Sequence, residues 1–240
     1  MSMFSKILRN ILHLLSPCSC AVCGELRHAS PLPVCTMCEV TAPLTNLWLS
    51  DDNPMQERFW GLLPVKHASA MLWYVEGSPW REMIHRMKYH SRWRSAYDMG
   101  RWYGTMLKQS GLYEDIDMII PVPLHPLRQM ARGYNQSAYI AEGIAKELGV
   151  EFSTTAVVRH RYNRSQTRQS PDKRWDNVEG VFKVLQPKKL QGRHLLLVDD
   201  VFTTGATVMS LGSTILQSVG DVRLSVAVLA VPRHSLNMKE

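Results

Sequence analysis

The chain has 240 residues, of which 45% are hydrophobic and 20% are charged. These proportions are ordinary for a soluble globular protein, and the length suits one α/β domain with a small appendage. No apolar stretch approaches the roughly 20 residues of a membrane span. The net charge of +7 indicates anionic partners, either phosphorylated metabolites or nucleic acid.

The first fifteen residues superficially resemble a signal peptide, with Lys6 and Arg9 before a short apolar run. That run contains His13, and no small-residue cleavage site follows it. The apolar residues fall at helical spacing, which predicts a short amphipathic helix that docks on the protein. We therefore expect a cytoplasmic protein.

All five cysteines lie between positions 18 and 38, and four of them form two CxxC pairs. Two such turns can supply four thiolates to a closed tetrahedral Zn²⁺ site. Disulfides are the alternative, but the odd cysteine count and the lack of an export signal argue against them. We predict structural zinc, with Cys18 as a spare thiol that could replace Cys20. The predicted metal ligands are Cys20, Cys23, Cys35 and Cys38.

The next segment, 40–67, shows no clear period and is predicted to be a linker that packs locally. A strand is predicted over Ser69–Val75, and a helix with Pro in its first turn over Pro79–Tyr89. A second helix is predicted over Trp93–Leu107, with aromatic residues along one stripe. Such a stripe favours a place in the core over a platform for base stacking.

A buried strand is predicted over Asp117–Leu124, followed by an irregular, proline-rich loop that carries Arg128 and Arg132. A helix over Ala138–Leu148 then ends at Gly149. Arginine is well suited to hold phosphate oxygens through its forked donors, although a solvated basic turn is the alternative.

Short strands are predicted at 157–158 and 180–185, and a last apolar strand at 224–231. The basic segment 159–177 is long for a connection in an α/β domain, which is typical of a mobile lid or binding loop. Strands that alternate with helices predict a doubly wound parallel sheet, with its functional loops at the carboxyl ends of the strands.

The most informative stretch is 194–207, HLLLVDDVFTTGAT. An apolar strand ends at Asp199 and Asp200, and a small hydroxyl-rich turn leads into a helix over Val208–Val219. Such a turn suits a phosphate, and the paired carboxylates suit vicinal hydroxyls or hydrated Mg²⁺. A polar strand end before an ordinary helix is the alternative. The complete string resembles the 5-phosphoribosyl 1-pyrophosphate (PRPP) signature of type I phosphoribosyltransferases, and it lacks the Gly-Lys-Ser/Thr of a Walker A loop.

Taken together, these motifs resemble the ComF (ComFC) family of competence-associated, phosphoribosyltransferase-like proteins. The resemblance follows the family's order along most of the chain. It includes the CxxC pairs, Lys88-Tyr89, Pro121–Leu124, Arg132–Ser137, Gln166-Thr167, Arg174, Asn177-Val178 and Val198–Thr207. It implies a type I phosphoribosyltransferase-like sheet with a small N-terminal four-cysteine zinc module and a helical hood.

The resemblance also implies roles for individual residues. Asp199 and Asp200 would hold the ribose hydroxyls, with Mg²⁺ bound alongside PRPP. Arg128 and Arg132 would face pyrophosphate, as would Lys88. The 5-phosphate would be cradled by Thr203, Thr204, Gly205, Ala206 and Thr207, and Val201 would also lie in the PRPP-binding site. The flexible catalytic loop would contain Arg159, Arg164, Gln166, Arg168 and Arg174.

We divide the chain into a helix and zinc-finger module over 1–45, a hood and linker region over 46–110, and a phosphoribosyltransferase-like domain over 111–240. Two functions follow from the resemblance. In the favoured one, the protein binds PRPP and acts in DNA uptake or utilisation, with single-stranded DNA and a competence helicase as partners. In the alternative, it is a nucleobase phosphoribosyltransferase of nucleotide salvage. The acceptor base, catalytic activity and oligomeric state are left open by the sequence.

Overall fold

The computed structural model describes residues 19–26, 32–88, 92–160 and 180–238. Several sequence predictions lie outside these ranges: the N-terminal amphipathic helix, Cys18, and most of the basic segment, including Arg164, Gln166, Arg168 and Arg174. Within the described ranges, no helix is long and apolar enough to cross a membrane.

A five-stranded parallel sheet forms the centre of the molecule, in the order β1-β7-β6-β2-β3. Its strands are β1 (Ala68–Trp73), β2 (Met118–Pro121), β3 (Glu151–Phe152), β6 (His194–Val201) and β7 (Arg223–Val231). An antiparallel hairpin pairs β4 (Val157–Arg159) with β5 (Phe182–Val184). The predicted doubly wound parallel sheet is confirmed. Strand β1 belongs to the region assigned to the hood and linker, yet it joins this sheet.

The helices of the described residues cover both faces of the sheet. They are α1 (Thr36–Val40), α2 (Pro54–Glu57), α3 (Pro79–Lys88), α4 (Trp93–Ser110), α5 (Pro126–Arg132), α6 (Gln136–Leu148), α7 (Pro187–Leu190) and α8 (Ala206–Ser218). Short 3-10 helices occur at Leu47–Leu49 and Arg233–Leu236. The loop predicted after β2 is partly helical, because Pro126 can occupy the first turn of α5 and the His125 side chain accepts a hydrogen bond from the Leu127 N–H.

The core has two layers because β6 alternates its side chains between the faces of the sheet. Leu196 and Val198 pack toward α3, α4 and α6, whereas Leu195 and Leu197 pack toward α2 and α8. The four residues are fully buried, as the unbroken apolar run predicts for a central parallel strand.

Helices α4 and α6 cross at unusually close range, and glycines make this contact possible. A Cβ at Gly143 would overlap the Tyr97 carbonyl oxygen, and one at Gly100 would overlap the Ile140 carbonyl oxygen. The aromatic stripe of α4 packs into this layer, with Tyr103 completely buried, although Trp93 remains 42% exposed. The close crossing fixes α6 against the sheet, and with it the start of α6 beside the end of β6.

A polar cluster closes the amino-terminal end of β6. The buried His194 imidazole places Nε2 at 2.8 Å from Ser225 Oγ and Nδ1 at 3.1 Å from Asp115 Oδ1. Asp115 also pairs with Lys66 and Arg223, each at 2.8 Å. Burial lowers the pKa of His194, even though Asp115 attracts the charged form. This end of the sheet is therefore held by a neutral imidazole.

Candidate functional site

The candidate binding site lies at the switch point of the sheet, between the adjacent strands β6 and β2, where the strand order changes direction. From β2 the chain proceeds to β3 on one side, whereas from β6 it proceeds to β7 on the other. Loops after neighbouring strands diverge at such a point and leave a crevice at their carboxyl ends, where doubly wound proteins bind ligands. The loops that leave β2 and β6 are the two that the sequence singled out.

Asp199 and Asp200 are among the last residues of strand β6. The strand was predicted to end at these acids, but it continues to Val201. Asp199 Oδ1 accepts hydrogen bonds from Ser137 Oγ and from the Asp200 N–H, each at 2.9 Å. Asp200 Oδ2 accepts one from Gln136 Nε2 at 2.9 Å and lies 3.1 Å from Lys88 Nζ. Three chain segments that are distant in sequence therefore meet at the acid pair.

The electrostatics of the pair are unfavourable in the free protein. Burial, and then repulsion from Asp200, raise the pKa of Asp199 to about 7. Burial opposes the charged form of Lys88, but the attraction of Asp200 outweighs it and raises the pKa of Lys88. The Lys88 ammonium therefore pairs with Asp200, and Asp199 is close enough to add to the attraction. The oxygens of the two carboxylates are the ligands that Mg²⁺ prefers, so the donor set fits a magnesium ion or the hydroxyls of a sugar.

The turn after β6 has the features of a phosphate-binding site. Gly205 adopts a left-handed conformation with φ of +76°, and an added Cβ would lie 2.5 Å from the Phe202 ring. Helix α8 begins directly afterwards with Gly205 as its N-cap, a residue that has no side chain to cap the helix, and the Ala206 N–H donates to Thr204 Oγ1 at 3.4 Å. The N–H groups of the first helical turn are therefore not capped by Gly205, and the positive end of the helix dipole favours an anion.

The arginines predicted to face pyrophosphate lie on α5, and both are half-buried. Arg132 Nη1 lies 3.4 Å from Gln136 Oε1, and the same amide donates to Asp200. Gln136 therefore links the arginine to the acid pair. Arg128 is close enough to Arg159 to affect its ionisation.

Arg159 is the residue of the predicted flexible loop whose position is described, at the end of β4. Burial, and then repulsion from Arg128, lower the pKa of its guanidinium, while Asp199 attracts the charged form. Its guanidinium carbon lies 5.7 Å from the centre of the Phe182 ring, and its buried Nε has no hydrogen-bond partner among the described residues. Its surroundings place Arg159 within electrostatic range of both the acid pair and α5.

The hydrogen bonds from Gln136 and Ser137 to the acid pair were not predicted from the sequence. The predicted helix began at Ala138, but α6 begins two residues earlier with Asn135 as its N-cap. The Asn135 side chain accepts a hydrogen bond from the Ser137 N–H at 3.2 Å. An asparagine before a helical pattern is an N-cap signal, and it could have located this start.

An open cleft of about 450 Å³ borders the loop that follows β2. It is bounded by that loop, the first half of α6 and strand β4. Its walls combine proline, aromatic and aliphatic residues with polar and charged side chains. Among its lining residues are Pro121, Pro123, Tyr139, Glu142, Phe152 and Arg159. No sequence pattern indicated this cleft.

The four cysteines predicted to hold zinc converge in the structure. Their Sγ atoms all lie within 4.8 Å of one another, and Cys23 Sγ is 3.9 Å from Cys35 Sγ. Four thiolates at the usual Zn–S length of about 2.3 Å would be roughly 3.8 Å apart, so the cluster fits a tetrahedral ion. Burial disfavours a thiolate at Cys20, but backbone N–H groups, including that of Cys35 at 3.4 Å, lower the pKa of Cys20 to about 6.

Comparison with known proteins supports this description. Residues 135–240 match the family model of the phosphoribosyl transferase domain. DNA utilization protein YhgH of Shigella flexneri is 32% identical over 144 residues, which cover 58% of this chain and 62% of that protein. Competence protein F of Haemophilus influenzae is 28% identical over 161 residues, which cover 65% of this chain and 69% of that protein. The match therefore spans less than two thirds of the YhgH protein.

Solved structures show weaker likenesses. An adenine phosphoribosyltransferase shares 16% identity, with a TM-score of 0.37, over 61% of this chain and 76% of its own. An allosteric regulatory enzyme of purine biosynthesis shares 19% identity, with a TM-score of 0.36, over 54% of this chain and 25% of its own. Both scores are low, so the assignment rests on the sequence matches and on the strand order of the sheet.

The parallel sheet, the signature at its switch point and the matched domain define a protein of the type I phosphoribosyltransferase fold. The similarity to DNA utilization protein YhgH and to Competence protein F supports the resemblance to the ComF family that the motifs predicted.

Proposed function

We propose that the protein binds PRPP together with Mg²⁺ and serves in the uptake or utilisation of DNA. The observation that carries the ligand is the arrangement at the end of β6. There, an acid pair, with Asp200 buried and Asp199 half-buried, directly precedes a glycine-dependent turn and the start of a helix. Carboxylates beside an anion seat match the vicinal hydroxyls and the 5-phosphate of a ribose 5-phosphate.

In this proposal each group of residues has a defined task. Asp199 and Asp200 accept hydrogen bonds from the ribose hydroxyls, and residues 201–207 hold the 5-phosphate. Arg128, Arg132 and Lys88 face the pyrophosphate. Bound Mg²⁺ would neutralise charge on the pyrophosphate as it departs, if the protein catalyses transfer. The arginines would stabilise the same charge through forked donors.

The test is a calorimetric titration of PRPP and MgCl₂ into the purified protein and into a double variant, Asp199→Asn/Asp200→Asn. Wild-type binding that disappears in the double variant is the expected result. A matched control, Asp221→Asn, removes an exposed acid before β7 and should bind as the wild type does. A folded wild-type protein that gives no heat of binding would contradict the proposal.

The role in DNA uptake or utilisation is supported by the names of the relatives, YhgH and Competence protein F, and by the net charge of +7. These names favour DNA handling over nucleotide salvage. We therefore propose single-stranded DNA as a partner, bound in part by the basic segment predicted from the sequence.

Fluorescence anisotropy of a labelled single strand, measured across a range of salt concentrations, tests this role. Each phosphate contact with a single strand contributes about 0.7 to the slope of log K against log salt. Charge reversal at Arg164 and Arg168 should therefore reduce the slope by roughly 1.4 if each arginine contacts one phosphate. An unchanged slope would remove this segment from the interface, and the absence of binding at low salt would contradict direct DNA binding.

We also propose that Cys20, Cys23, Cys35 and Cys38 hold a structural Zn²⁺. The convergence of the four thiols supports this proposal. Atomic absorption should find about one zinc per chain, and a Cys23→Ser/Cys35→Ser variant should lose it. Stoichiometric disulfides in the native protein would contradict a zinc site.

A further inference from the structure

Helix α3 lies between the four-cysteine cluster and the acid pair. The residues of the cysteine segment share one buried layer with α3: Cys20, Val22 and Val34 on one side, Trp80, Met83 and Ile84 on the other. The same helix ends at Lys88, whose ammonium lies 3.1 Å from Asp200 Oδ2. The two sites are therefore joined by a single rigid element of ten residues.

The last turn of α3 is attached to the cysteine cluster through Arg86. Its Nη2 donates to the Val22 carbonyl at 2.5 Å and to the Ala21 carbonyl at 3.3 Å. Both carbonyls belong to the tight turn that joins Cys20 to Cys23. The turn therefore offers two acceptors to one guanidinium, and its shape depends on both cysteines pointing at a common centre.

The next two residues of the same turn, Met87 and Lys88, contact the candidate binding site. The Met87 carbonyl accepts a hydrogen bond from the Tyr134 hydroxyl, in the segment between α5 and α6. Lys88 then reaches Asp200. Three successive residues, Arg86, Met87 and Lys88, thus contact the cysteine turn, the segment between α5 and α6, and the acid pair.

Arg86 has an alternative partner that would release the turn. Its Nη1 lies 3.9 Å from Glu82 Oε2, one helical turn earlier, at a distance that a small rotation would shorten. Its buried Nε has no hydrogen-bond partner within the described part of the chain, so the two carbonyls are the acceptors that hold the half-buried guanidinium in place. If the cysteine turn opened, the side chain would gain more from Glu82 and solvent.

We propose that Arg86 is a positioning residue, through which metal held by the four cysteines sets Lys88 on Asp200. Loading of the cluster then strengthens the binding of ribose 5-phosphate ligands, a step that rests on the function proposed above. The physical basis is that structural zinc contributes folding free energy to the segment that holds it. With the cysteine turn fixed, the last turn of α3 and the Lys88 ammonium have one position.

The test measures the accessibility of Lys88 directly, by its rate of acylation with an N-hydroxysuccinimide acetate, followed by mass spectrometry. Four samples are compared: zinc-loaded wild type, zinc-stripped wild type, zinc-loaded Arg86→Gln and zinc-loaded Arg86→Lys. Lys146, which is exposed at the far end of α6, serves as the internal reference. Zinc content and circular dichroism establish that each variant is loaded and folded.

We expect acylation of Lys88 relative to Lys146 to become roughly tenfold faster after stripping or in Arg86→Gln, the change that loss of one charge-assisted contact predicts. Arg86→Lys should restore part of the protection, because an ammonium can reach one of the two carbonyls. Equal Lys88 rates in loaded and stripped wild type would overturn the coupling. If Arg86→Gln fails to fold or to hold zinc, the wild-type comparison decides whether the cluster affects Lys88, and Arg86→Lys decides the role of Arg86: protection equal to that of the wild type would overturn the requirement for two guanidinium contacts.

A PRPP titration of the same samples provides the second measurement. The coupling predicts affinity roughly tenfold weaker for zinc-loaded Arg86→Gln than for zinc-loaded wild type. Unchanged affinity together with faster Lys88 acylation would overturn the link to ligand binding. If no sample binds PRPP, the function proposed above fails, whereas the acylation rates still decide whether Arg86 couples the two sites.

Discussion

Replacement of Asp199 by asparagine should make the free protein more stable at neutral and alkaline pH, although it removes a residue of the candidate site. The reason is that Asp199 must ionise inside the protein beside Asp200, which raises its pKa from 3.8 to about 7. Asparagine has nearly the same shape, and its oxygen can still accept hydrogen bonds from Ser137 and from the Asp200 N–H. It has no charge to bury.

The magnitude follows from the pKa difference. One pKa unit corresponds to about 1.4 kcal/mol, so full ionisation of Asp199 opposes folding by at most about 4 kcal/mol. Between pH 3.8 and 7 the folded chain keeps a proton that the unfolded chain has lost, so wild-type stability falls as the pH rises through this window. The advantage of the variant should grow from about 1.5 kcal/mol at pH 5 to about 4 kcal/mol at pH 8.

Urea unfolding at pH 5 and pH 8 measures this advantage. A gain of about 2 to 4 kcal/mol at pH 8 corresponds to a rise in Tm of roughly 5 to 15 °C for a chain of this length. Asp221→Asn is the matched control, and its effect should be small and equal at the two pH values. Unfolding is measured without added Mg²⁺, and since each variant is compared with the wild type at the same pH, any pH dependence of zinc binding cancels. An Asp199→Asn variant that is less stable than the wild type by the same amount at both pH values would refute the reasoning.

Three further predictions concern packing, the turn after β6 and pH. Gly143→Ala should destabilise the protein by about 1–3 kcal/mol because its Cβ overlaps the Tyr97 carbonyl, whereas Gly220→Ala, which meets no atom of the described residues, should leave Tm nearly unchanged. Gly205→Ala should lower both Tm and PRPP affinity, because the added Cβ would meet the Phe202 ring and the turn requires a left-handed backbone. Calorimetry that finds wild-type affinity for PRPP in this variant would contradict phosphate binding by this turn. The lowered pKa of His194 means that the wild type has its full stability above pH 6.5 and loses stability below it, because the unfolded chain then binds a proton that the folded chain does not. His194→Gln should therefore lose less stability than the wild type between about pH 7.5 and pH 5.5. Urea unfolding at these two pH values measures the difference.

The parts of the fold that could be predicted are those written in contiguous stretches of sequence. The apolar run before Asp199 predicted a central strand, and β6 has both faces buried. The Gly after Leu148 marked the end of α6 correctly. The convergence of the four cysteines also followed from local spacing, because each CxxC pair forms one turn.

Contacts across long sequence separations could not be predicted in the same way. Lys88 and Asp200 are more than a hundred positions apart, and the sequence alone contains no distance between them. Gly143 lies inside the helix predicted over Ala138–Leu148, and nothing in the sequence indicates that the Tyr97 carbonyl lies against it. The raised pKa of Asp199 belongs to the same class, because it depends on the burial that the whole fold creates.

The two ends of β6 show why the carboxyl end is the better candidate for binding. At the amino end, Asp115 pairs with Lys66, Arg223 and the His194 imidazole, and its pKa is lowered to about 2 despite partial burial. At the carboxyl end, Asp200 pairs with the Lys88 ammonium beside a second acid, Asp199, and the following turn requires a left-handed glycine. The first arrangement stabilises the folded chain, whereas the second costs stability that a bound cation or sugar can restore. Local conflicts of this kind are expected where a chain is shaped for a ligand.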